Sequence, residues 1–361
     1  METIRDGKMD DKGYAFTPLA LLLMIPVVIL AVSYNGIVNE VNLLSAIAIG
    51  GDVTSSVAGD IIDNIQQDTA DAGRKSAFMA VQLVINRTNT LPDNNPFFEE
   101  GESETYILNN TVNMINVNLT STCSDLEKQT GRTILINGTP IDSYTNKTAN
   151  IFQQDDLSIS QEDPYGFIIS IPSLSIQVLQ NSSTANQSVT FNTPPQTAYV
   201  SIEGLEDPYI WVNTKERNSS IIYKYPYYNT YMGNYEYHFA DDVTSGKLSF
   251  LWECLMGANS TMGYRPYYFP DPYGLTFFDR LEDRNVSNSP TNETRMSTFI
   301  LWDPLQEDHG NLPTSMLDHE YFQSVSGGTI TANKNIVMGP DGKNFIISNT
   351  YRTRLGLSSS Y

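Results

Sequence analysis

The sequence predicts an α+β chain in which a long N-terminal helix, hydrophobic and then amphipathic, carries a mixed, β-rich extracellular head. Three observations lead there. From Gly13 to Asn39 there is no Asp, Glu, Lys or Arg. Beyond that stretch, Val53, Val57, Ile61 and Ile65 fall four apart, the spacing of one helical face. After about residue 100 the composition turns to Asn, Ser, Thr, Tyr and Pro with short apolar alternations, which suits strands and turns.

The first element is a charged leader, residues 1–13, expected in the cytoplasm. A membrane helix follows over 14–38, about 37 Å long at 1.5 Å per residue against a hydrocarbon core of roughly 30 Å. Lipid offers backbone groups no partner, so the crossing segment is helical despite Pro18 and Pro26. Arg5, Lys8 and Lys12 precede it, and no Lys or Arg follows until Arg74. The positive-inside rule then places the N-terminus in the cytoplasm and the head outside, in a single-pass arrangement. An amphipathic helical stalk is expected over 39–92, ending at Leu91-Pro92-Asp93-Asn94-Asn95-Pro96.

The head, 100–361, opens with a strand at Thr133–Ile136 before the turn signal Asn137-Gly138. Further strands are expected around Pro172 (Gly166 to Gln180), at Ser188 to Phe191, Thr197 to Ile202, Tyr209 to Val212 and Ser220 to Tyr225. Helices are expected at Ser245 to Ala258 and Leu275 to Asp283, and late strands at Phe299–Trp302 and Phe345–Ser348.

Lys12-Gly13 directly before the apolar run resembles the cleavage site of archaeal type IV pilin-like precursors with class III signal peptides. The resemblance implies that a prepilin peptidase cuts between Gly13 and Tyr14, that the mature chain begins Tyr14-Ala15-Phe16-Thr17-Pro18-Leu19, and that other pilin-like subunits are partners. Pro18 stands where bacterial pilins carry Glu, and Tyr14 where many archaeal ones carry Gln. The segments Gly204 to Tyr209, Phe277 to Glu282 and Asp318 to Phe322 resemble stretches of methanogen envelope proteins that carry no established activity.

The formal charge of −20, from 21 basic and 41 acidic residues, leaves no basic stripe for phosphates. A nucleic-acid partner is not expected. Eleven Asn-x-Ser/Thr sequons follow the membrane stretch: Asn86, Asn109, Asn118, Asn137, Asn146, Asn181, Asn186, Asn218, Asn259, Asn285 and Asn292. They read as N-glycosylation sites of a surface head. Cys123 and Cys254, the chain's two cysteines, either close one long-range disulfide or lie as buried thiols. Tyr225, Tyr227, Tyr228 and Tyr231 head a tyrosine-rich stretch that either binds sugar or protein or packs the core.

Asp-Pro recurs at Asp163, Asp207, Asp271 and Asp303, the first three followed by Tyr. An Asp carboxylate can bond the backbone ahead while Pro presets the next dihedral, so these read as turns. The acidic pairs match no calcium loop and the histidines His238, His309 and His319 match no catalytic motif. No metal, cofactor or catalytic residue is expected. The functional expectation is a pilin-like or pseudopilin-like surface subunit; the alternative is a monomeric anchored adhesin or receptor that binds through its tyrosine-rich region.

Overall fold

The computed structural model describes residues 53–87, 95–181, 186–216, 220–226, 266–284, 294–300, 316–324, 334–338 and 344–354, with 251, 254, 255 and 257 besides. The leader, the expected membrane helix and the cleavage residues Gly13 and Tyr14 lie outside them. Among the described residues no helix is long and apolar enough to cross a membrane. The chain mixes helix and antiparallel sheet, as the α+β reading expects.

Helix α1 spans 53–87. Its buried face runs through Val57, Ile61, Ile65, Ala72, Ala77, Ala80, Val81 and Val84, following the period read from the sequence. The buried face of this amphipathic helix packs against the head. Its buried residues share one hydrophobic cluster with Ile107, Ile115, Phe167, Ile169, Val200 and Leu281.

The second helix, α2 (Glu102–Thr130), occupies a stretch for which the sequence predicts no element of its own. Asn and Thr are poor helix formers, and they hid a stripe at Ser103, Ile107, Thr111, Ile115, Leu119 and Cys123, all buried. Gly131 closes the helix at φ 64°, where its N–H reaches the Glu127 carbonyl, a left-handed cap that favours glycine. The buried Thr111 hydroxyl bonds Ser76 of α1 at 3.0 Å, tying the two helices together.

Two antiparallel sheets follow. The first has the order β2 (Thr139–Pro140), β1 (Thr133–Ile136), β5 (Ser175–Asn181), β6 (Asn186–Asn192). Asn137 and Gly138 both have positive φ in its β1–β2 hairpin, as the Asn-Gly signal predicts. The second sheet is β3 (Ser158–Asp163), β4 (Gly166–Ile171), β7 (Gln196–Ser201). Helix α1 lies on this second sheet: Gln66 Nε2 donates to the Thr197 carbonyl at 3.1 Å, and Arg74 donates to the carbonyls of Ser201 and Glu203.

Short elements complete the head. Helix α3 is Ile141–Thr145 and α4 is Pro208–Asn213. Strand β8 (Phe269–Leu275) pairs with β9 (Met296–Ser297), and α5 is Phe277–Glu282. Strand β10 (Phe299–Ile300) pairs with β11 (Met316–Leu317), which leads into α6 (Asp318–Ser324). The last elements are β12 (Lys334–Met338), β13 (Asn344–Ser348) and α7 (Asn349–Arg354).

Two expected strands are corrected. Tyr209 to Val212 is helical, because Asp207 caps it through the Tyr209 N–H and Pro208 fills its first turn. Within Ser220 to Tyr225 there are only isolated bridges, Glu206 to Ile221 and Lys224 to Tyr268.

Gly73 tests the α1–sheet contact. A Cβ there would lie 2.7 Å from Val200 Cγ2 and 2.8 Å from Ile169 Cδ1. A helical glycine costs about 1 kcal/mol against alanine, and here the close approach of the sheet leaves no room for a Cβ. Gly73→Val is expected to lower stability by about 1–3 kcal/mol through overpacking, read as a lower urea midpoint.

Candidate functional site

The three segments singled out in the sequence meet at one point inside the head. Asp207 caps α4, Arg280 lies on α5, and Asp318 begins α6. Helix α5 is set by its own capping box: Asp279 N–H donates to the Thr276 hydroxyl at 3.0 Å, and Thr276 N–H to the Asp279 carboxylate at 2.9 Å. That turn aims Arg280 inward. Its Nη1 is 2.7 Å from Asp207 Oδ2 and its Nη2 is 2.7 Å from Asp318 Oδ2, with all three side chains at 0% exposure. Nη2 also donates to the Met296 carbonyl at 2.8 Å.

Aromatic rings wall the ion pairs. The guanidinium carbon sits 5.4 Å from the Tyr268 ring centre and 5.9 Å from that of Tyr209, within cation–π range. The Tyr268 hydroxyl donates to Asp207 Oδ2 at 2.7 Å. A second group adjoins through Asp318. His319 Nδ1 lies 3.4 Å from Asp318 Oδ1 and 3.2 Å from Ser297 Oγ, and its Nε2 lies 3.3 Å from the Tyr351 hydroxyl. Ser297 Oγ donates to Asp271 Oδ2 at 2.6 Å, and Tyr351 donates to the same oxygen.

The two carboxylates that share Arg280 are not equivalent. Burial pushes Asp207 up, against the pull of Arg280 and the Tyr268 hydroxyl, and the charge on Asp318 adds to the rise. Asp318 is buried as deeply, yet Arg280 and then His319 hold it below the usual carboxylate range. The asymmetry has a simple cause: Asp318 faces a second basic group and Asp207 does not. Arg280 itself is disfavoured by burial and then raised by both aspartates, so it stays charged.

The Asp-Pro-Tyr repeats form one recurring clasp. Oδ1 of Asp163, Asp207 and Asp271 accepts from the backbone N–H of Tyr165, Tyr209 and Tyr273, at 2.6, 3.0 and 3.0 Å. Two of these aspartates also take a tyrosine hydroxyl from elsewhere: Tyr268 on Asp207 and Tyr351 on Asp271. The turns were legible in the sequence; the second partners were not.

Ser297, His319 and two aspartates do not make a nucleophile. A triad needs serine on one ring nitrogen and the carboxylate on the other. Here Ser297 and Asp318 face the same Nδ1, the serine proton goes to Asp271, and Ser297 is fully buried. The arrangement fixes chain segments against each other.

The other expected positions are dispersed. Tyr225 is 2% exposed, its ring edge-on to Tyr267 at 5.8 Å; of the two alternatives for the tyrosine-rich stretch, this residue takes the core position. Tyr227, Tyr228 and Tyr231 lie outside the described residues. Cys123 and Cys254 form no disulfide. Cys123 sits on the buried face of α2, where burial pushes its thiol up to about 12, whereas the Cys254 carbonyl accepts from Tyr267 N–H in another part of the head.

Among the sequons, Asn86, Asn118, Asn137 and Asn146 are exposed and Asn109 is half-buried on α2. Asn181 and Asn186 fall in the β5–β6 pair. Asn218, Asn259, Asn285 and Asn292 lie outside the described residues. An open groove of about 540 Å³ runs beside α2, lined by Asn113, Thr120, Lys128 and Asn150 together with Val117, Tyr144 and Ile151. No protein-family model matches this chain, and neither a curated protein nor a solved structure matches it.

Arg280→Met leaves two buried aspartates without their shared guanidinium and is expected to cost about 3–5 kcal/mol in urea unfolding. Adding Asp207→Asn to Arg280→Met is expected to recover part of that loss. Additive losses in the double-mutant cycle would mean that Asp207 and Arg280 are not coupled. Acid acts on the same cluster. Asp318 has a lowered folded pKa, so its contribution is present above its unfolded value and lost as pH falls through the folded one. Asp318→Asn is therefore expected to flatten the acid limb of the stability–pH curve.

Proposed function

We propose that this chain is a pilin-like or pseudopilin-like subunit of the cell surface, held by its N-terminal segment and displaying a glycosylated head. One observation carries the reading: the uncharged stretch from Gly13 to Asn39 begins directly after Lys12 and leads toward a helix over 53–87 whose buried face belongs to the head. In such a protein the first part of the helix packs in the membrane or among neighbouring subunits, and the second part anchors the head. The shared core of α1, α2 and the β3–β4–β7 sheet supports this, because a helix tied in along its length transmits position to the head without a loose joint. Exposed Asn118, Asn137 and Asn146 give glycan acceptors on the outer surface.

The alternative, a monomeric anchored adhesin, keeps the membrane segment and assigns binding to the head. The open groove beside α2 is more accessible to a sugar or peptide than Tyr225, whose ring is enclosed.

Mass spectrometry of the chain purified from its native membrane separates these readings. A mature N-terminus at Tyr14 with the hydrophobic segment intact is the expected result. Retention of Met1 would favour a plain signal anchor and the adhesin, and a start beyond Ser33 would mean a secreted protein and remove both.

A further inference from the structure

We propose that His319 is a buried imidazolium that latches the C-terminal helix α7 to the core, and that loss of its proton releases that helix. Counting protons gives the argument. A hydroxyl has one proton, and those of Ser297 and Tyr351 are both donated to Asp271 Oδ2. Toward His319 these two oxygens can then only accept. Nδ1 faces the Ser297 oxygen at 3.2 Å and the Asp318 carboxylate at 3.4 Å; Nε2 faces the Tyr351 oxygen at 3.3 Å. Both ring nitrogens meet acceptors, so both must carry hydrogen, and a ring with two N–H groups is charged.

Charge balance points the same way. Asp207 and Asp318 are both fully buried and share the single charge of Arg280. A charged His319 supplies the second cation. The groups that face it are Asp318 and Glu320 on its own helix, Asp271 on β8 and Tyr351 on α7. Burial lowers the His319 pKa, but the Asp318 hydrogen bond and charge, then Asp271 and Glu320, raise it above 6.5. The stabilisation is thus complete below the unfolded value and is lost as pH rises through the folded one.

Tyr351 makes the ring a latch. It is 3% exposed, its ring lies 5.8 Å from the imidazole, and it holds α7 through the hydroxyl shared by Asp271 and His319. When one ring nitrogen loses its proton, Tyr351 or Ser297 must abandon Asp271 or face a lone pair.

The test uses the full chain in detergent with 15N-labelled imidazoles. The substitutions His238→Gln and His309→Gln leave His319 as the sole histidine. The expected spectrum shows both His319 nitrogens protonated near neutral pH. As the proton leaves at higher pH, amide exchange in residues 349–354 is expected to rise roughly tenfold beyond its intrinsic base dependence. In Tyr351→Phe, exchange there is expected to be fast at every pH. A neutral His319 tautomer near neutral pH would overturn the proposal, and so would a titration that leaves exchange in 349–354 unchanged.

Discussion

A guanidinium taken out of water forfeits several kcal/mol of hydration, and Arg280 is taken out completely. That cost is offset only while Asp207, Asp318 and the Met296 carbonyl stand in their places around it. Residues far apart in the chain therefore have to be fixed together or not at all. Much of the head depends on this requirement. The short helix that bears Arg280 also presents Phe277 and Phe278 to Phe167 of the second sheet, with ring centres 6.2 and 5.7 Å away. Its last residue, Glu282, reaches the start of α2, where Oε1 accepts from the N–H groups of Gly101 and Ser103 and from the Ser103 hydroxyl. A carboxylate at a helix N-terminus meets both the unsatisfied amides and the positive end of the dipole. One six-residue helix thus joins the ion cluster, the second sheet and α2.

The contact between α1 and the head rests on small side chains. Ala72, Gly73, Ala77 and Ala80 are buried, and they let the helix lie close to β4, β7 and α2. Close approach brings backbone carbonyls within reach, and Arg74 and Gln66 use it to bond Ser201, Glu203 and Thr197. The result is a helix held by apolar packing on one side and by long polar side chains along its border. For a pilin-like subunit this geometry would make helix and head move together.

Aromatic residues divide between two tasks in the head. Tyr268, Tyr209 and Tyr351 bury their rings and spend their hydroxyls or backbone N–H groups on aspartates. An aspartate after which proline fixes the chain is a rigid acceptor, and a tyrosine is a rigid donor on a long arm. Pairing them gives directional contacts at modest entropic cost. The abundance of both residue types in an acidic chain follows from that chemistry as readily as from ligand binding.

Periodicity in the sequence determined α1, the Asn-Gly hairpin, most strands of the two sheets and the α5 helix, since each is a local pattern of apolar spacing, turn residues or caps. It did not reveal α2, whose Asn- and Thr-rich composition opposes helix while its four-residue stripe supports it; burial against α1 decided that contest. Tyr209 to Val212 has a strand's composition, and Asp207 and Pro208 turned it into a helix. The sequence also marked the segments around Asp207, Arg280 and Asp318 and the clasp at each Asp-Pro-Tyr. Only tertiary structure brought those segments to a single guanidinium, buried Tyr225 and kept Cys123 apart from Cys254. The physical reason is range: caps, turns and helical stripes act within a few residues, whereas an ion pair becomes strong only where folding has excluded water around it.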